Sequence, residues 1–207
     1  MKITAYIGLG ANLNGPATQV EYALAELDRI PGTRLVARSS LYATAPVGYV
    51  DQPDFINAVA QLETALAPRA LLAALLDIEQ RHGRERSFRN APRTLDLDLL
   101  LYGAAHFHED HLTLPHPRMT ERAFVLLPLI EIAPELTIPG RGRAANWIAS
   151  CAEQSVVVDA LASVQPRPPF HGESVVVDTS ASVQPHSPLH GESVAPINLP
   201  KHAVTGL

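Results

Sequence analysis

Cysteine is nearly absent from this 207-residue chain: Cys151 stands alone, so no disulfide can form within it, and the expected compartment is the reducing cytoplasm. Long apolar runs are missing too. No window approaches the roughly 18 to 20 continuous apolar residues of a membrane span, and the start Met1-Lys2-Ile3-Thr4-Ala5-Tyr6-Ile7 runs into a strand pattern without the apolar core of a signal peptide. Positive charge is in deficit, with 16 Lys and Arg against 21 Asp and Glu, a net charge of −5 that opposes a general grip on nucleic acid or an acidic membrane. Aromatics are only 5% of residues, which leaves little for base stacking. Standard nucleotide motifs are lacking as well. Gly8-Leu9-Gly10-Ala11-Asn12-Leu13 has no third glycine of a dinucleotide fingerprint, and no Gly-Lys-Ser/Thr follows it. Gly8 and Gly10 are therefore expected to serve the exit of the first strand.

What is present is enough apolar residue, 46%, for one globular core. Lys2 to Gly8 reads as a strand. Pro16 opens a helix whose buried face carries Val20, Leu24, Leu27 and Ile30, and Pro31-Gly32 stops it. Thr33 to Thr44 and Asp54 to Leu66 read as two strands. A second helix starts at Pro68, buries Leu71, Leu72, Leu75, Leu76 and Glu79, and closes at Gly83. Thr94 to Tyr102 is another strand. The order β-α-β-β-α-β is that of a ferredoxin-like α+β sandwich, with helices on one face of an antiparallel sheet. Residues 105–152 add a hairpin (His106 to His108, Leu112 to Leu114) and helices near Thr120 to Ile132 and Ala144 to Cys151.

The last quarter is of another kind. Residues 155–173 and 174–192 form a tandem repeat of period 19 with 14 identities, and the stretch from Pro166 to Pro200 holds seven prolines and a single aromatic, Phe170. Such a segment has little to bury against its ordering entropy. The expectation is one domain over residues 1–152 and a mostly disordered tail over residues 153–207.

Chemistry concentrates in Arg93-Thr94-Leu95-Asp96-Leu97-Asp98-Leu99. In a strand, Asp96 and Asp98 share a face while Leu95, Leu97 and Leu99 point into the core, and the two aspartates lie about 6.6 Å apart. Alone, such a pair is more often a solvated acidic face. Its neighbours tip the balance: Arg81, Arg84, Arg86, Arg89 and Arg93 stand against one acid, Glu85, in a Ser-, Asn- and Pro-rich loop that leads into the aspartates. Carboxylates that hold Mg²⁺ beside an arginine loop describe a polyphosphate site. A second constellation lies in Asp51-Gln52-Pro53-Asp54-Phe55-Ile56-Asn57, where Phe55 and Asn57 put an aromatic plane and an amide on one strand face, suited to a flat heterocycle. Without the rest, a core Phe beside a strand-end Asn would be the better reading. Phe124, after Arg122, offers a second plane. His106, His108 and His111 cluster, but no partner stands at zinc spacing; His116, between Pro115 and Pro117, is stiffly placed to meet phosphate.

Together, Tyr6-Ile7-Gly8-Leu9-Gly10-Ala11-Asn12-Leu13, Asp51 to Asn57, Pro92 to Asp98, and Leu114-Pro115-His116-Pro117-Arg118-Met119 through Phe124 closely resemble the 6-hydroxymethyl-7,8-dihydropterin pyrophosphokinase family of folate biosynthesis. The resemblance covers residues 1 to about 150, with Asn90 and Pro117 standing where the family often has aromatics. It implies a monomer that binds ATP and the reduced pterin and transfers the β,γ-diphosphate to the hydroxymethyl oxygen. It also implies that Asp96 and Asp98 hold two Mg²⁺ ions and that Arg84 and Arg93 position the transferring group. Phe55 and Phe124 would enclose the pterin, with Asn57 and the backbone of Thr44, Ala45 and Val47 reading its edge. Glu79, Leu99, Thr113, His116 and Arg122 would lie on the ATP side. The strand order 4-1-3-2, taken from the resemblance, puts two inter-strand steps, about 10 Å, between ring pocket and metal pair. Two rivals remain from the residues alone. A two-metal phosphodiesterase or nuclease would also use Asp and Arg but lacks further clustered ligands, and a ferredoxin-like RNA-binding module is opposed by charge and aromatic content.

Overall fold

A computed structural model describes residues 1–46, 51–83 and 92–159, all within a first compact unit, Met1–Pro166. The strand β1 (Ile3–Ala11) sends Ala5, Ile7, Leu9 and Ala11 to one face of a sheet. Helix α1 (Pro16–Asp28) starts at Gly15, whose φ of 74° suits glycine, with Pro16 in the first turn, where a missing N–H costs nothing. The chain turns at Gly32 into β2 (Thr33–Arg38), then forms β3 (Tyr42–Thr44) and β4 (Phe55–Thr64). Helix α2 (Pro68–Arg81) ends before Gly83, again at positive φ, and β5 (Asp96–Tyr102) completes the expected order. Leu24, Leu27, Leu71 and Leu75 are at most 1% exposed beneath the sheet, each worth about 2 kcal/mol of burial.

Sequence reading expects one strand over Thr33 to Thr44; the chain makes two. Between them Ser39 donates its N–H to Val59 O (2.9 Å) and accepts the Val59 N–H on its hydroxyl (3.0 Å), while Ser40 N and Oγ donate to the Glu131 carboxylate. Side chains take over part of the hydrogen bonding that a continuous ladder would have made, Ser39 for the Val59 amide and Glu131 for that of Ser40.

All strand pairs of the main sheet are antiparallel, in the order β5-β1-β4 with β2 and β3 both on β4. That is the 4-1-3-2 arrangement, with the second strand in two pieces. The two helices of the βαββαβ unit share one face of the sheet, as expected, and a third, among the C-terminal additions, takes the other. Helix α3 (Ala123–Ile132) covers part of the opposite face, burying Val125 and Leu129 with Tyr6, Val59, Leu100 and Leu101. A bulge in β5 serves this second core: Leu100 has no opposite residue between the pairs Tyr6/Leu101 and Ile7/Leu99, so Leu100 and Leu101 both reach α3. A hairpin of β6 (Phe107–Glu109) and β7 (Leu112–Leu114) lies where expected, and β8 (Thr137–Ile138) and β9 (Gly142–Arg143) form a small one that sequence reading missed. Ala144–Cys151 is helical, of the 3-10 type.

Ordered chain runs past residue 152, where the tail was expected to begin. Strand β10 (Val156–Val158) pairs with β3 at the sheet edge, and Asp159 N donates to Leu41 O at 2.8 Å. The rest of the tail lies outside the described residues. Among those described, no helix is long and apolar enough to cross a membrane.

Candidate active site

Gly8 and Gly10 are not at a strand exit. They lie within β1, which continues to Ala11, and they pave the floor of a cleft on the face that α3 leaves uncovered. Cross-strand register puts Gly10 between Asp96 of β5 and Asn57 of β4, and Gly8 between Asp98 and Val59. A side chain at Gly10 would meet Asn57 Oδ1 at 3.1 Å, closer than a carbon comfortably sits. The two glycines thus keep a flat strip open between the aspartate strand and the Phe55-Asn57 strand.

At one end of the strip, Asp96 and Asp98 share the cleft face of β5, as the alternation predicts, and each pairs with an arginine. Arg93 Nη1 lies 2.5 Å from Asp96 Oδ2, and Arg122 Nη1 lies 3.1 Å from Asp98 Oδ2. The same guanidiniums lean over the aromatic walls, Arg93 at 5.6 Å from the centre of the Phe55 ring and Arg122 at 5.6 Å from that of Phe124. From beneath the sheet, Glu79 fastens the backbone between the aspartates, its Oε1 accepting the Leu97 N–H at 2.7 Å. At the other end, Phe55, Asn57, Thr44, Ala45 and Phe124 line the cleft. Asn57 is 4% exposed and donates through Nδ2 to Thr44 Oγ1 at 2.9 Å, which fixes the plane of its amide.

The structure therefore gathers nine of the sequence-derived candidates around one cleft: Thr44, Ala45, Phe55, Asn57, Arg93, Asp96, Asp98, Arg122 and Phe124. Four others lie off its lining. Glu79 is 2% exposed on the helix side of β5, Leu99 belongs to the core of that same side, and Thr113 stands in β7 opposite His108. His116 holds Leu100 O through its backbone N–H at 2.9 Å, and its Nδ1 is buried with no hydrogen-bond partner among the described residues. Burial pushes the His116 imidazole below its ordinary value, helped by the charges of Arg122 and Arg118, while Asp98 and Asp96 pull the other way. Val47 and Arg84 lie outside the described residues, as do Arg86, Arg89 and Asn90.

Several residues at the cleft were given no role by sequence reading. Asn12, 2% exposed at the end of β1, exchanges hydrogen bonds with both backbone groups of Arg93: its N–H donates to Arg93 O (3.0 Å), and its Oδ1 accepts the Arg93 N–H (2.8 Å). Its Nδ2 donates to Gln52 Oε1 (2.9 Å) and Pro53 O (3.1 Å), so one asparagine ties the arginine to the segment that precedes Phe55. Gln52, Arg118, Glu121 and Gln154 also line the cleft. The Asn12 side chain works over sequence separations of 40 residues and more, which no local pattern reveals.

Comparison with known proteins agrees with this geometry. The family model described as 7,8-dihydro-6-hydroxymethylpterin-pyrophosphokinase matches residues 6–134, more than half of the chain. The 2-amino-4-hydroxy-6-hydroxymethyldihydropteridine pyrophosphokinase of Haemophilus influenzae is 50% identical over 137 residues, covering 66% of this chain and 86% of the relative. The protein of the same name from Pseudomonas aeruginosa is 46% identical over 151 residues, covering 73% and 93%. Among solved structures, wild-type HPPK-DHPS of Plasmodium falciparum superposes on 72% of this chain with a TM-score of 0.56 at 15% identity, a likeness of fold; the chain covers 44% of that longer protein. A sheet that sets paired aspartates and an aromatic-amide strand on either side of a glycine floor, with kinship of this extent along the same residues, leads to one conclusion: the chain belongs to the 7,8-dihydro-6-hydroxymethylpterin-pyrophosphokinase family.

Proposed function

We propose that this cleft transfers the β,γ-diphosphate of ATP to the hydroxymethyl oxygen of 6-hydroxymethyl-7,8-dihydropterin, giving the pterin diphosphate and AMP, with Asp96 and Asp98 on the phosphate side and Phe55, Asn57 and Phe124 on the pterin side. One observation carries the assignment of ends. Asp96, Gly10 and Asn57 stand in a single row across three strands, two strand spacings or about 10 Å end to end. That span lets a ring held at Asn57 present a short alcohol to a diphosphate held at the aspartates.

The residues fit a divalent ion with oxygen ligands. Asp96 and Asp98 would hold Mg²⁺, two ions with ATP, and no group of three or more His, Cys, Asp or Glu among the described residues offers a complete protein cage. Mg²⁺ is commonly bound in this way, by one or two carboxylates with phosphates and water filling the rest. When bound, the ions supply charge neutralisation on the phosphate oxygens. The chain supplies the rest. Arg93 and Arg122 bring cationic forks to the phosphates, and Arg122 Nε is a buried donor with no hydrogen-bond partner among the described residues. Arg84, Thr113 and His116 would complete the ATP side, with Glu79 and Leu99 supporting the aspartate strand from its buried face. Phe55 and Phe124 stack on the ring and exclude water, while Asn57 and the backbone of Thr44, Ala45 and Val47 read its edge. No lysine or cysteine lines the cleft among the described residues, so a direct in-line transfer governed by position and charge is the natural step. The hydroxymethyl oxygen attacks the β-phosphorus, its proton passes to water, and the bond to the bridging oxygen breaks with AMP as leaving group.

The protein acts as a monomer in the cytoplasm on this reading, in keeping with its lone buried cysteine. Product analysis tests the reaction: the protein is mixed with ATP, Mg²⁺ and the pterin, and nucleotides are separated by chromatography. AMP that appears only with pterin is the expected result. ADP, or no pterin-dependent change, overturns it.

A further inference from the structure

Arg122 carries two contacts of the site, to Asp98 and to the Phe124 ring, from a half-buried position at the entrance of a helix. It is the residue that enters α3, with extended backbone at φ −124° and ψ 107°, and its side chain has no acceptor with which to cap the helix it begins. The cap comes from 31 residues away. Gln154 Oε1 accepts the Ala123 N–H at 2.9 Å, and Gln154 Nε2 donates to Glu121 O at 2.8 Å. The amide therefore holds the backbone on both sides of Arg122.

Gln154 is itself held in place. Its N–H donates to Cys151 O at 3.0 Å, and two residues on, β10 pairs Val156 with Thr44, the residue that accepts the Asn57 amide. The segment from Cys151 to Asp159 thus grips both walls of the pterin end, α3 through Gln154 and β3 through β10, and Gln154 lines the cleft between them. All of it lies beyond residue 134, where the family match ends.

We infer that Gln154 is a positioning residue for pterin binding, acting through the backbone that flanks Arg122 and so on the placement of Arg122 and Phe124. Both halves of the amide are needed, the oxygen for the helix N–H and the nitrogen for the Glu121 carbonyl. Gln154 stands just before the first copy of the tandem repeat, at Ser155, whereas a carboxylate, Glu173, stands just before the second, at Ser174. A carboxylate in place of Gln154 keeps the acceptor, loses the donor and repels the carbonyl oxygen.

That difference makes the test. This inference rests on the assignment of Phe124 to the pterin wall, so Phe124→Ala is measured alongside Gln154→Ala and Gln154→Glu in the full-length protein. Readouts are KM for pterin, KM for ATP, kcat and thermal stability. Gln154→Ala is expected to raise the pterin KM about tenfold, the scale of one or two lost hydrogen bonds, with a smaller rise in the ATP KM through Arg122. Gln154→Glu keeps the helix cap, so its melting temperature falls less than that of Gln154→Ala, yet it still raises the pterin KM several-fold. If Gln154→Ala does not fold, Gln154→Glu decides. A wild-type pterin KM in a folded Gln154→Glu variant, where Phe124→Ala raises it, overturns the inference and leaves Gln154 a structural cap. A wild-type pterin KM in Phe124→Ala overturns the wall assignment instead.

Discussion

Two arms of the cleft have the same parts and different construction. In one, Asp96 pairs with Arg93, which leans on Phe55; in the other, Asp98 pairs with Arg122, which leans on Phe124. Arg93 and Asp96 are three residues apart on one segment, whereas Arg122 reaches Asp98 across 24 residues from the start of a helix on the opposite core. Each arm has a distant amide, Asn12 on the backbone of Arg93 itself and Gln154 on the residues that flank Arg122. The first brace comes from the end of a central strand, the second from a short edge segment past the family match. Central-strand contacts open only with the whole fold, while edge segments open locally, so the second arm is the one that local motion or nearby substitution can loosen.

Substitutions in the two arms tell them apart. The largest effect is expected where both arms end. Asp98→Ala should lower turnover at least about a thousandfold, since phosphoryl transfer depends on neutralised charge, with an unchanged circular dichroism spectrum. Near-normal activity with Mg²⁺ would remove the metal assignment.

Next come the arginines. Arg93→Ala and Arg122→Ala are each expected to cost about a hundredfold in kcat, the scale of one lost charge-stabilising donor. If the arms act independently, the double variant multiplies the two losses; a double variant no worse than the poorer single one would show that they work as a unit.

Asn12→Ala probes the first brace. Its loss removes the hydrogen bonds to the Arg93 N–H, Gln52 and Pro53 O in a part-buried place, and denaturant titration should show about 2 kcal/mol less stability. A loss of a few tenths would mean that water replaces it.

The smallest effect concerns His116. Burial holds its folded imidazole neutral below the ordinary value of 6.5, so as pH falls the unfolded chain binds the proton first. Its contribution to stability is full above about pH 6.5 and is lost as pH drops toward the folded value. Stability measured from pH 7.5 down to 5 should therefore fall less in His116→Gln than in the wild type; equal slopes would contradict the shift.

Much of the fold was legible because its signals are local and periodic. Leu71, Leu75 and Glu79 recur at helical spacing, and the prolines and glycines that bound α1 and α2 act within a few residues. The Asp96-Asp98 face followed from simple alternation. The break at Ser39 did not, for it depends on Val59 and Glu131, which only the folded chain brings near. Gly8 and Gly10 were misplaced because glycine reads as an exit in one dimension and as a floor once β4 and β5 flank it. Glu79 was placed in the apolar row of its helix, but its partner, the Leu97 amide, belongs to another element.

The sequence by itself determined the order of elements, the paired carboxylates and the aromatic-amide strand, because each is written in residues close enough to interact through one backbone. Tertiary structure decided which arginine meets which aspartate, which amide braces each arginine and how far the ring wall stands from the carboxylates. Those are relations between separate elements, fixed by cross-strand register and by the packing of α3, and hydrogen bonds across 31 or 81 residues leave no local trace.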